Sequence, residues 1–422
     1  MPTQKIVASP AKAALFLVLT VNEGAEAEVA DVLTEVSDLT KAVSFRVPTS
    51  NLLCVVGVGH DAWGRLFDAP LPRDLHPFRE FHGDVHSAPA TPGDLLIHLR
   101  AGTQDVCFEL AKHLMTRLGP HVHVEDEVHG FKFFEERDLL GFVDGTANPE
   151  GEDACTAALV GDEDPDYRGG SYVLVQKYLH DMTAWEALSV GEQERVIGRS
   201  KLEDIEMSDA QKPANSHVAL NDLDPVDGRK REIVRDNMPF GRVGSAEFGT
   251  YFIGYAADPA VTETMLENMV VGDPPGTYDR ILDFSTAMTG GLFFAPPRSF
   301  LDDPSTVAAR PSATAETTPD TGPPPPPTPC PAGLPGARPG RVRTGGAGPR
   351  HRARGLRDPG RTQAHGLPPA RPLRPARARR CRQRGELQWG RHRTGAGSPR
   401  PAHRPARRTA WLTTPRNTRT SS

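Results

Sequence analysis

The run Ala14-Leu-Phe-Leu-Val-Leu-Thr-Val21, with residues 23–43 behind it, decides how this chain is read. The run is apolar at nearly every position, which suits a strand buried on both faces. Residues 23–43 place Val29, Val32, Leu33, Val36 and Leu39 at helical spacing. Residues 52–58 are strand-like again, so the chain opens strand, helix, strand. The same order then repeats. Residues 94–100 form a strand, Gln104–Leu118 a helix with Val106, Leu110, Leu114 and Leu118 on one side, and Val122–Phe131 an alternating strand. Two such units predict a four-stranded antiparallel sheet with helices on one face, the ferredoxin-like arrangement. The apolar run is too short to span a bilayer, and no twin-Arg leader precedes it. It reads as a buried strand rather than a signal peptide.

Residues 150–303 read as a diverged repetition of residues 1–149. Strands are expected at 171–178, 249–256 and 292–295, short helical pieces at 183–188 and Val190–Ile197, and a helix at Pro259–Val270 capped by Asp258. The expected class is α+β with two ferredoxin-like modules, 1–149 and 150–303. Between these elements residues 200–249 are long and poor in apolar pattern. Loops of that length in a compact domain are functional or disordered. This one holds the chain's most unusual residues, which favours function.

Charge divides the chain a second way. Residues 304–422 carry 24 Arg, no Lys and only four acids, while residues 1–303 carry 25 basic and 50 acidic side chains. The body is therefore acidic and shows no nucleic-acid footprint. The tail lacks Ile, Phe, Tyr and Met and contains the run Pro323–Pro327. Such a segment cannot bury enough apolar surface to fold and is expected to be disordered. It reads either as a basic arm for nucleic acid or an acidic partner, or as an out-of-frame product of GC-rich DNA. The five cysteines include no CxxC pair, which gives neither a zinc site nor a disulfide framework and fits a reducing compartment.

Three short segments carry candidate chemistry. Gly141-Phe-Val-Asp-Gly-Thr-Ala-Asn-Pro149 sets Asp144 on a tight, bare backbone before an Asn-Pro stop. Read alone it is a surface turn, since Asp-Gly is a favoured turn dipeptide. Asn215-Ser-His-Val218 offers His217 as a ligand. A lone histidine is ordinarily a surface or satisfied core residue. One imidazole makes a poor zinc site, yet it suffices for haem, whose porphyrin already fills four positions. Peroxide chemistry on such a group needs a proton carrier and a fixed cation, and Asp144 and Arg235 supply those residue types. Arg235 reads equally as half of an ion pair with Asp236 or another acid.

The GxxDG form of residues 141–145 resembles the motif of the dye-decolorizing (DyP-type) peroxidases. His217, and then Arg235 within Val-Arg-Asp-Asn-Met-Pro-Phe240, follow in that family's order. The likeness covers about residues 10–303 and is closest to the B-type bacterial branch. It implies paired ferredoxin-like modules in a dimeric α+β barrel-like arrangement, with one haem b per subunit in the second module. It implies His217 as the axial iron ligand, Asp144 as the distal acid–base and Arg235 as the distal cation. By the same likeness Asn237 sits in the distal pocket, and Gly145 and Arg235 contact the cofactor. The implied activity reduces hydrogen peroxide and oxidises dyes, phenols or other donors through a ferryl intermediate.

The resemblance further implies a homo-oligomer in the cytoplasm, without membrane partners. Many B-type relatives enter encapsulin shells through a C-terminal Gly/Leu/Ile motif, which this tail lacks. The alternatives are a haem carrier or deferrochelatase-like protein on the same fold, which needs His217 but no distal pair, and a basic-tailed interaction protein with an inert body. Tyr251, Tyr255 and Trp185 are candidates for an electron relay, with packing as the competing reason for each.

Overall fold

The computed structural model describes residues 3–226, 228 and 230–307. The tail lies outside the described residues beyond Val307, a residue buried in the core.

In the first half the elements run β1 (Ala13–Val21), α1 (Glu26–Arg46), β2 (Leu53–Gly59), α2 (His60–Leu66), the short pair β3 (Phe81–His82) and β4 (Ser87–Ala88), β5 (Leu95–Ala101), α3 (Gln104–Leu118) and β6 (Val122–Phe131). In the second half they run α4 (Gly151–Ala158), β7 (Ser171–His180), α5 (Met182–Glu186), α6 (Val190–Ile197), α7 (His217–Asn221), β8 (Val234–Arg235), β9 (Met238–Arg242), β10 (Glu247–Ala256), α8 (Pro259–Val270), β11 (Ser285–Ala287), β12 (Gly291–Ala295) and α9 (Arg298–Asp302). The expected pair of ferredoxin-like sheets is present. The order β6-β1-β5-β2 is fourth, first, third, second, and β12-β7-β10 followed by β8 and β9 repeats it.

The two sheets join edge to edge where β2 pairs antiparallel with β12. At the other end β6 lies against β9. That approach needs a bare backbone, because a Cβ on Gly130 would come within 2.4 Å of Met238 Cβ. The sheet thus closes into a barrel. Every strand then has an inner and an outer face, and successive side chains alternate between them. On β1, Ala14, Phe16 and Val18 fill the barrel with Val173, Val175, Tyr251 and Tyr255. Leu15, Leu17 and Leu19 point outward into the layer beneath α1 and α3. Both faces of β1 are buried, which explains its unbroken apolar sequence.

α1 buries Val29, Leu33, Val36 and Val43, and α3 buries Val106, Leu110, Leu114 and Leu118. Each such leucine contributes roughly 1.5–3 kcal/mol on burial. The second half has no long helix between β7 and β8. α5, α6 and α7 are short and separated by loops.

One expectation changes. Residues 200–249 are not wholly irregular, since they include α7, β8, β9 and the start of β10. Arg235 pairs with Gly254 and Met238 with Tyr251, so β8 and β9 are one strand in continuous register. Asp236 and Asn237 interrupt its apolar pattern, and Pro239 removes a backbone donor. Cys54 and Cys107 are free thiols, whereas Cys155 is disulfide-bonded, an exception to the disulfide-free reading. Among the described residues no helix is long and apolar enough to cross a membrane.

Candidate active site

Alternation along the 234–242 strand sorts its residues. Val234, Met238 and Phe240 face the barrel interior. Arg235 and Asn237 face outward and line a cavity of about 490 Å³ under the second sheet. That volume lies within the roughly 300–1,000 Å³ of pockets that enclose small molecules and cofactors. Asp144, Gly145 and His217 line the same cavity, so it gathers the candidate haem-binding and peroxide-handling residues named from the sequence.

The loop carrying Asp144 is clamped onto this strand. Asn148 Nδ2 donates to the Arg235 carbonyl at 2.7 Å, and the Arg235 N–H donates to Asn148 Oδ1 at 3.0 Å. Asn148, read from the sequence only as a stop before Pro149, therefore holds the two segments together. The Asp144 N–H donates to the Glu136 carbonyl at 2.8 Å. Gly145 takes φ +81°, a left-handed turn that glycine adopts without strain. Gly141 takes the same kind of turn, at φ +94°.

Asn237 has a fixed orientation. The Ile253 N–H donates to its Oδ1 at 3.1 Å, which leaves Nδ2 to donate to Asp144 Oδ1 at 3.3 Å. The donor at Ile253 decides which end of the amide is oxygen. Arg235 carries no side-chain hydrogen bond or ion pair among the described residues. The possible pairing with Asp236 does not occur, because that carboxylate faces the barrel and bonds Arg100.

His217 opens α7 behind the Ser216 N-cap, whose hydroxyl accepts from the Ala219 N–H at 3.4 Å. α6 ends at Gly198 with φ +95°, close enough to Ser216 that a Cβ would meet its Oγ at 2.9 Å. His217 Nδ1 lies 2.7 Å from Oδ2 of the fully buried Asp279. A carboxylate partner makes Nδ1 the protonated nitrogen and leaves Nε2 with its lone pair for the cavity. Asp279 is held in turn by the Ile281 N–H on Oδ1 at 3.0 Å. Sequence reading missed Asp279, and its position as the cap of residues 280–283 was the only available signal.

The β7 wall adds Gln176, Tyr178 and His180. Tyr178 Oη donates to Gln176 Oε1 at 2.8 Å, and Gln176 Nε2 is buried without a partner. Burial pushes His180 down to about 4, so it is neutral at pH 7. Asp138 is pushed up to about 7, chiefly by burial and then by the nearby Asp144 carboxylate. Tyr251 and Tyr255 face the barrel rather than the cavity. Trp185 sits behind the wall, edge-on to Phe142 and donating from Nε1 to the Leu140 carbonyl.

Among the described residues no cluster of three or more His, Cys, Asp or Glu could hold a bare metal ion. A single available imidazole nitrogen, apolar walls and an orphaned amide donor fit haem instead. The fold and the cavity suit a haem-dependent oxidoreductase.

Comparison with known proteins agrees. The family model described as Dyp-type peroxidase, N-terminal matches residues 3–132, and the one described as Dyp-type peroxidase, C-terminal matches residues 135–300. A dye-decolorizing peroxidase of Rhodococcus erythropolis is 59% identical over 313 residues, covering 74% of this chain and 92% of that protein. A DypB variant of Rhodococcus jostii RHA1, solved in complex with haem, is 56% identical with a TM-score of 0.70, covering 71% of this chain and 98% of its own. The encapsulated DyP-type peroxidase of Mycobacterium smegmatis is 59% identical with a TM-score of 0.71, covering 72% and 99%. The chain belongs to the DyP-type peroxidase family, with B-type structures among its neighbours. It is a haem-dependent peroxidase.

Proposed function

We propose that His217 binds haem b through Nε2 and that Asp144, Arg235 and Asn237 handle hydrogen peroxide in the same cavity. The observation that carries this reading is Arg235, whose side chain has no partner among the described residues in a cavity that also holds Asp144 and His217. A fixed guanidinium with no protein partner keeps its donors for an anionic group or a developing negative charge in the cavity. When bound, haem would supply a redox centre through which two electrons pass from the donor to peroxide, which is the oxidant.

The protein's own groups do the rest. Asp144 accepts the proton of the nearer peroxide oxygen and returns it to the departing one. Arg235 donates to the oxygen that gains negative charge, through the fixed fork of its guanidinium. Asn237, locked by Ile253, holds the Asp144 carboxylate in place. Asp279 fixes the orientation of the His217 ring by accepting a hydrogen bond from Nδ1–H. Gly145 supplies the turn that aims Asp144 and forms part of the cofactor's backbone contact.

Dyes and phenols are the proposed reductants, in line with the names of the relatives. Homo-oligomer assembly and a cytoplasmic location are part of the same reading. Enclosure in an encapsulin shell is supported by the encapsulated relative. The proposed division is 1–149, 150–303 and a separate tail 304–422, supported by the repeated strand order. A carrier without turnover needs no distal acid and cation. The test is an absorbance spectrum of the purified, haem-loaded protein before and after one equivalent of peroxide. Rapid spectral conversion that returns on adding a phenol or dye supports the enzyme, and an unchanged spectrum supports the carrier.

A further inference from the structure

Asp236 stands between the two proposed peroxide-handling residues yet faces away from them, into the barrel. Its neighbours on that inner face, Val234 and Met238, are core residues. A carboxylate there is costly unless paired. Its partner is Arg100 on β5, only 2% exposed, with Nη1 donating to Asp236 Oδ2 at 2.5 Å. The second arm of the guanidinium, Nη2, donates to the carbonyls of Lys5 and Ile6. Gln4 fixes that same N-terminal segment, with Nε2 donating to the Val56 and Pro296 carbonyls and Oε1 accepting from the Val56 N–H. Those contacts span β2 and the end of β12, where the two halves join.

We propose that Arg100 is a positioning residue: through Asp236 it fixes, from behind, the strand that presents Arg235 and Asn237 to the cavity. This rests on the reading of Arg235 and Asn237 given above. Three features of the strand require such an anchor. β8 has two residues and β9 five, and between them the Asp236 N–H still donates to the Ile253 carbonyl at 3.1 Å, while the return bond is not a backbone one. The Asn237 side chain, rather than a backbone carbonyl, accepts from the Ile253 N–H. A slip of one residue would turn Arg235 and Asn237 into the barrel and Asp236 into the cavity. The Arg100 pair sets that register, because only the observed one satisfies both buried charges. Two apolar residues of matching size would serve stability as well or better, so register is the pair's distinguishing contribution.

The experiment compares the haem-loaded full-length chain with R100M/D236L, R100K and R235L. The neutral double variant removes both buried charges and keeps their volume. It is expected to fold with an unchanged resting haem spectrum. Its second-order reaction with peroxide should slow at least 10-fold, with the reductant KM unaltered. Amide hydrogen exchange of a peptide covering residues 234–238 should accelerate at least 10-fold. R100K keeps the charge but loses the two-armed fork, and should fall between the two. Wild-type exchange and a wild-type peroxide rate in the double variant would overturn the proposal. If the double variant does not fold, R100K decides: faster exchange at 234–238 supports the anchor, and wild-type exchange overturns it. A wild-type peroxide rate in R235L would sink the functional reading instead, and exchange would still decide the positioning role.

Discussion

In the first half, α1 and α3 close over the outer face of the sheet with Leu33, Leu110, Leu114 and Leu118. In the second half, the corresponding face presents Gln176, Tyr178, His180, Thr250, Arg235 and Asn237 to a cavity of about 490 Å³. The strand order is the same in both. The difference lies in the segment that leaves the first strand of each half. A single helix of 21 residues covers one sheet, while α5, α6 and α7, none longer than eight residues, leave the other open. One copy of the topology thus packs its outer face, and the other keeps there the cavity in which the proposed chemistry lies. The barrel between them is shared, and inside it Arg100 on β5 of the first half bonds Asp236 on the second half's cavity strand.

Substitutions that act on only one half break or sharpen this contrast. The largest expected effect is at the ligand: His217→Ala should abolish normal haem ligation, read as loss of the Soret band after haem supplementation and gel filtration. Leu110→Ala should keep haem but cost about 2–5 kcal/mol of stability, because α3 has no room to collapse. In haem-free protein Met265→Ala, on the cavity wall, should cost about 1 kcal/mol or less, since its removal enlarges an existing space. Equal costs in urea unfolding would contradict the packed-versus-hollow distinction. Asp279→Asn should weaken haem binding by about 10–100-fold, the usual scale for a ligand's supporting carboxylate, read by competitive haem transfer.

The smallest effect is a pH dependence. Asp138 is raised from 3.8 to about 7 by burial and by Asp144, so the folded state holds its proton more tightly than the unfolded chain does. The stability it contributes is fully present below about pH 4 and is lost as pH rises through 7. Asp138→Asn removes that loss. The melting temperature of the variant should therefore gain on wild type steadily between pH 4 and 8, and a flat difference would count against a buried, proton-holding Asp138.

Much of the architecture was legible because β1, β2, β5, β7 and β12 are largely buried on both faces. Runs such as 13–21 then have one interpretation, and Gln104–Leu118 shows a helix with matching bounds. The strand at 234–242 was hidden because its outward Arg235 and Asn237 line the cavity rather than a packed layer and its inward Asp236 pairs with Arg100, so the three displaced the apolar alternation. Asp144, His217, Arg235 and Asn237 stood out through their motifs. Their supports did not, because support comes from far along the chain. Asp279 lies 62 residues from His217, Asn148 lies 87 from Arg235, and Arg100 lies 136 from Asp236. Only folding brings such partners together, and no local pattern announces them.

The most direct test of the hollow half as a peroxide site is stopped-flow absorbance of haem-loaded wild type, Asp144→Asn and Arg235→Leu mixed with hydrogen peroxide. All three should show the same resting Soret spectrum, because His217 is untouched. Wild type should convert rapidly, and at least one of the variants should convert 10²-fold more slowly or worse, the usual scale for losing a positioned proton carrier or charge-stabilising donor. Wild-type rates in both variants would contradict the assignment of this cavity's chemistry to Asp144 and Arg235.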